Sequence, residues 1–102
     1  MSDIIANPYL EDHMTKRFIC NIYRWRRNNP PEVTNNGLDP FEIWRDLKYQ
    51  AFHERVVPAI LSRLIQNNLE SGQIIYDPNT KRVNLSPDGI TWTERNCVNY
   101  PY

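Results

Sequence analysis

Apolar residues recur at helical spacing early in the chain. Met14, Phe18, Ile22 and Trp25, with Ile19 beside them, form one stripe and predict a helix over 14–27. Asp12 or Thr15 can cap its start. Lys16, Arg17, Arg24 and Arg27 fall on the opposite face, either a solvated surface or one for phosphate or an acidic partner, and residues 14–29 hold no acidic residue. Residues 1–13 show no periodicity and are expected to form an N-terminal arm, either loose or pinned by Tyr9 and Leu10.

Two breaker clusters, Asn28-Asn29-Pro30-Pro31 and Asn35-Asn36-Gly37, predict a loop over 28–37. Asp39-Pro40-Phe41-Glu42 then reads as a helix start. Asp39 can accept the amide of the third helical residue, Pro40 loses nothing at the first position, and Glu42 can reach back to the Asp39 amide. This second helix is expected to run to about Tyr49, burying Phe41, Trp44 and Leu47. A turn without Gly or Pro follows at 49–52. A third helix is expected over 53–70, with Pro58 marking a first turn or a kink. Val57, Leu61, Leu64, Ile65 and Asn68 make its inward stripe, and Gly72 its stop.

From residue 73 the period changes from helical to two. Ile74 and Tyr76 alternate with Ile75, and Val83 and Leu85 with Arg82 and Asn84, which predicts a hairpin over 73–85. Asp77-Pro78-Asn79-Thr80 suits its turn, with Pro in the second position. Ser86-Pro87-Asp88 reads as another cap, followed by a short helical turn through Ile90, Trp92 and Thr93. Residues 96–102 are expected to form a tail. The predicted class is mainly α with a small β-hairpin: one domain over 14–95, with an arm over 1–13 and a tail over 96–102.

Composition narrows the function. The chain has 102 residues, enough for one modest core. Twelve basic and twelve acidic residues give a formal net charge of zero, so the global field offers no attraction for nucleic acid. No apolar run approaches the length that spans a bilayer, and the first residues lack a signal-like pattern, so a cytoplasmic protein without membrane contact is expected. In that setting Cys20 and Cys97 are expected to stay unbridged. No Cys-x-x-Cys or paired His motif supports a metal, and no cofactor is expected. The three glycines, at 37, 72 and 89, make no phosphate-cradling loop. Neither cysteine has a placeable base, and the carboxylates read as caps or surface charges, so no enzyme is expected.

Binding is the better expectation. Arg55, Ala59, Ser62, Arg63, Gln66 and Asn67 share the outward face of the third helix. Small residues at 59 and 62 allow close approach to a groove. Arg can bond guanine and Gln or Asn adenine in bidentate fashion. The stretch from Ile60 through Gly72-Gln73-Ile74, the hairpin tip from Asp77 to Arg82, and Leu85-Ser86-Pro87-Asp88-Gly89 resemble the winged helix-turn-helix domain of bacterial regulators over residues 14–92. That resemblance implies three helices with a two-stranded wing and a small transcriptional regulator of double-stranded DNA. The 53–70 helix would be its major-groove reader, and Lys81 and Arg82 wing residues near phosphate. Lys48 could contact phosphate from the second helix. Over 45–82 basic residues exceed acidic ones by six to four, a surplus of two. A homodimer, through the first helix or the tail residues Val98, Tyr100 and Tyr102, would enlarge the footprint. The alternative is a winged-helix module that docks a protein partner without binding DNA.

Overall fold

A computed structural model describes residues 8–40 and 58–98. The expected second helix beyond Pro40, the turn at 49–52, Lys48, Arg55, Val57 and the last four residues lie outside this set. The described elements, in chain order, are α1 (Pro8–Arg27), α2 (Pro31–Thr34), α3 (Pro58–Glu70), β1 (Ile74–Asp77), β2 (Arg82–Leu85) and α4 (Pro87–Asn96).

The first helix starts at Pro8, six residues before the expected Met14, so half of the expected arm is helical. Proline is tolerated in a first turn, Glu11 sits where the helix dipole favours negative charge, and Asp12 pairs with Lys16 one turn later at 2.9 Å. These local effects extend a helix that apolar periodicity alone would begin later. Its stripe is as expected: Met14, Phe18, Ile19 and Ile22 are buried, and Trp25 is partly buried against the same cluster. Arg17, assigned to the solvated face, is instead buried, at 3% exposure.

The segment 28–37, expected to be loop throughout, contains the single turn α2, with Pro31 at its first position. Gly37 then takes φ +76°, and Leu38 pairs with Val83 through reciprocal hydrogen bonds of 2.9 Å. A lone Leu-Asp between breakers shows no alternation, so sequence patterning could not reveal this bridge. Pro40 is helical, in keeping with its expected place at a helix start.

Helix α3 buries Leu61, Leu64 and Asn68 and half-buries Ile65, as its periodicity requires. Asn68 is satisfied in the interior: its amide donates to Leu64 O at 2.9 Å and to Thr15 O at 3.2 Å, stitching α3 to α1. Gly72, at φ +78°, ends the helix. Strands β1 and β2 pair antiparallel with Ile74 opposite Leu85 and Tyr76 opposite Val83. Ile74, Val83 and Leu85 are buried, whereas Tyr76, expected inward with them, lies at the margin with 36% exposure. The turn is longer than expected. Asn79 N–H bonds the Asp77 carboxylate, Lys81 N–H bonds Asp77 O at 2.7 Å, and Lys81 takes the left-handed φ of 60°.

The last helix is longer than the expected single turn, running ten residues. Ser86 caps it, accepting from Gly89 N–H at 2.9 Å while its hydroxyl donates to Gly72 O, and Pro87 takes the first position. Its Gly89 lies so close to β1 that an added Cβ would fall 1.9 Å from Gln73 O. At its far end Cys97 bonds Cys20 of α1, with Cα atoms 5.4 Å apart. The bridge contradicts the expectation of unbridged cysteines. That expectation rested on compartment, whereas the packing of α4 along α1 brings both thiols together in the interior beside Tyr23 and Trp92.

One core cluster joins Phe18, Ile19, Ile22, Leu38, Leu61, Ile74, Val83 and Leu85, and a smaller one surrounds the disulfide. Each large side chain contributes about 1.5–3 kcal/mol by burial. The bridge closes a separation of 77 residues, worth on the order of 4.5 kcal/mol as lost freedom of the unfolded chain. Replacing both cysteines by serine is expected to cost about 2–5 kcal/mol, read as a lower urea midpoint. Gly89→Ala is expected to lower the thermal midpoint by forcing α4 off Gln73, at a cost of about 1–3 kcal/mol. An unchanged midpoint would contradict that close approach.

Candidate nucleic-acid interface

The expected reading face of α3 divides into two groups. Ala59, Ser62 and Gln66 are exposed, and Gln66 bonds Glu70 one turn along at 3.1 Å. Arg63 is exposed as well and Asn67 is half-buried, and both reach toward α1. Arg63 Nε donates to Glu11 in an ion pair, and Asn67 Nδ2 donates to the same carboxylate at 2.8 Å and to Thr15 Oγ1 at 3.1 Å. Glu11 therefore acts as a clasp. Helical spacing alone placed 63 and 67 beside 59, 62 and 66, but could not show that Glu11, more than fifty residues earlier, faces them.

Burial works to raise the Glu11 pKa. The hydrogen bonds from Arg63 and Asn67, with the Arg63 charge, together outweigh it and hold the carboxyl below its ordinary value. His13, on the same helix, is also shifted down. Burial is the main cause, the Arg17 and Lys16 charges add to it, and Asp12 opposes it. A cleft of about 400 Å³ lies along this seam, lined by Glu11, Lys16, Arg63, Asn67, Gln73 and Trp92 among others. Its width sits at the α1–α3 junction rather than on the exposed face. Among the described residues no three His, Cys, Asp or Glu side chains converge to hold a metal.

A second group gathers at the hairpin. Lys81 and Arg82 are exposed, and Arg82 Nη1 donates to Gly37 O at 3.1 Å. Two residues further along β2, Asn84 accepts from Arg26 Nη1 at 2.7 Å and donates to Thr34 O at 2.8 Å. Arg26 was absent from the expected site. It belongs to the basic run on α1 that patterning reads as either a solvated face or a phosphate or acidic-partner surface, and only the fold sets it on the hairpin. Neighbouring Arg24 bonds Asn21 at 2.8 Å, and Arg27 stacks 5.6 Å over the Tyr23 ring. The last turn of α1 thus holds three arginines at the end where the helix dipole favours cations.

The two groups are apart. Glu11, which holds Arg63, and Arg26, which holds Asn84, stand fifteen residues apart on α1, about 22 Å along a straight helix. Arg63 therefore does not share a cluster with Arg82. Of the nine expected contacts, Ala59, Ser62 and Gln66 stay on one open face. Lys81 and Arg82 form the tip with Arg26 nearby, Arg63 and Asn67 serve the α1–α3 junction, and Lys48 and Arg55 lie outside the described residues.

The clasp gives a pH dependence of defined sign. A carboxyl held below its ordinary pKa stabilises the fold above its unfolded value and loses that contribution as pH falls through the folded one. A histidine held low binds its proton more readily when unfolded, so it too opposes the fold as pH falls below its ordinary value. Acid titration of unfolding free energy is therefore expected to fall in two stages, the His13 stage at higher pH and the Glu11 stage below it. His13→Gln is expected to remove the first and Glu11→Gln the second. Two stages persisting in Glu11→Gln would exclude the clasp.

No protein-family model matches this chain, and neither a curated protein nor a solved structure matches it.

Proposed function

We propose that this protein is a small winged-helix DNA-binding regulator. The observation that carries the proposal is the Leu38–Val83 bridge. It sets an extended residue, placed between the first helix and the helical start at Pro40, on the outer side of β2. The order α1, the single turn α2, extended Leu38, a helical start at Pro40, α3, β1, β2 and α4 is compatible with the three helices and two-stranded wing that the resemblance implies. The β1–β2 hairpin then plays the wing, with Lys81 and Arg82 at its tip. On α3, Ala59, Ser62 and Gln66 would face the major groove, small residues allowing close approach and Gln66 reading adenine. Lys81, Arg82 and Arg26 would contact phosphate. Arg63 and Asn67 would act mainly through the α1–α3 junction.

No helix among the described residues is long and apolar enough to cross a membrane. A DNA partner would place the protein in the cytoplasm. The Cys20–Cys97 bridge can persist in a reducing interior if exchange is blocked, and both sulfurs are buried, at 0% and 3% exposure. A second proposal is a winged-helix module that docks a protein partner. It is favoured by one observation: Glu11 neutralises Arg63, the one basic residue that α3 contributes between 58 and 70, in a chain of zero net charge.

Fluorescence anisotropy on mixed-sequence duplex DNA across a salt series separates the two. A DNA binder is expected to lose affinity steeply with salt. Lys81→Ala with Arg82→Ala is expected to lower the salt slope by about two. Gln66→Ala is expected to relax sequence preference with little change of slope. A folded sample that binds no duplex at low salt would leave the protein-docking module.

A further inference from the structure

Among the described residues, the edge of β1 opposite β2 is unpaired. Val83 gives both its main-chain groups to Leu38, so it is a non-bonded partner of Tyr76 on the β1 side. Ser86 N–H bonds Gln73 O at 3.0 Å, which fixes the same parity: residues 73, 75 and 77 turn their main-chain groups toward β2. The N–H and C=O of Ile74 and Tyr76 therefore point away from the sheet, and among the described residues nothing bonds them. Ile75 is 57% exposed and Tyr76 36%. Soluble proteins commonly protect such an edge with lysine, proline or a bulge. Strand β1 has none of these, and its one charge is Asp77 at its end.

We propose that the β1 edge pairs with β1 of a second copy of this chain, antiparallel, about a two-fold axis through Ile75. The parity above suits this register. Ile74 of one copy exchanges both main-chain hydrogen bonds with Tyr76 of the other, and symmetry repeats the exchange, giving four bonds. Ile75 then lies directly opposite Ile75 of the second copy in a non-bonded pair, where side chains approach most closely. Charge selects the same arrangement. Antiparallel pairing sets each Asp77 against the uncharged amide of Gln73, whereas an in-register parallel pairing would oppose Asp77 to Asp77. The inference concerns self-association alone and stands whether or not the protein binds DNA. It also moves the expected dimer contact from the first helix or tail to the hairpin.

The test uses the full chain without nucleic acid. Sedimentation equilibrium is expected to show a dimer, and amide exchange is expected to show protection of Ile74 and Tyr76 that rises with protein concentration. Ile75→Asp and Ile75→Lys, at an exposed position, are each expected to weaken association at least about tenfold through like charges placed opposite each other. Circular dichroism confirms that each variant is folded. Mixing the two variants is expected to restore a dimer, because a two-fold axis through residue 75 sets Asp against Lys. A monomeric wild type at millimolar concentration would overturn the proposal, as would a dimer that survives both variants. So would a mixture that fails to associate, or edge amides protected only when a different protein is added. If either variant fails to fold, Tyr76→Pro, which removes an outward N–H without touching the β1–β2 ladder, replaces it with the same expected loss.

Discussion

Burial of one stripe of α1 is the interaction on which the other elements depend. Phe18 and Ile22 have no exposure, and they meet α3 through Leu61, the sheet through Ile74, Val83 and Leu85, and the bridge segment through Leu38. A stripe of one twenty-residue helix is long enough to receive partners along its length. Three of the others are short, two four-residue strands and the single turn α2, which could not hold their shape alone. Hydrogen bonds then fix what apolar contact leaves loose. Asn68 sets the height of α3 against Thr15, and Arg26 with Asn84 sets the hairpin against the end of α1.

How legible this was depended on the range of the interaction. Short-range rules worked. The 3.6 period of Met14, Phe18 and Ile22, the period of two in the hairpin, the stop at Gly72 and the Ser86-Pro87 cap all involve residues within a few positions. Apart from the early start of α1, the turn α2 and the full length of α4, what escaped was long-range. The Leu38–Val83 bridge spans 45 residues, the Arg63–Glu11 pair 52 and the disulfide 77. Nothing local marks Leu38 as extended or Glu11 as a partner of α3. Arg17 shows the same limit in one residue, since a basic side chain between apolar turns reads as solvated until a neighbouring element covers it.

The same distinction shaped the candidate site. Spacing on α3 correctly grouped 59, 62 and 66, but a helix face is about 100° wide, and Arg63 and Asn67 fall at its margin, where α1 claims them. A recognition helix and a scaffold helix can share most of their sequence. They differ in whether a carboxylate elsewhere in the chain occupies the basic residue. The hairpin tip has no such occupant for Lys81 among the described residues, and Arg82 gives one bond to a main-chain carbonyl while staying exposed. Among the described residues, positive character therefore concentrates on the hairpin and the end of α1, away from the clasp.

The Cys20–Cys97 bridge also changes what a backbone break would mean. It makes residues 20 through 97 a closed covalent ring. A single cut anywhere inside that ring separates nothing, because both pieces remain joined through sulfur. The hairpin, α3 and the β1 edge all lie inside it. Once nicked, the protein stays one molecule, and its pieces keep the effective concentration that lets them close on α1 again.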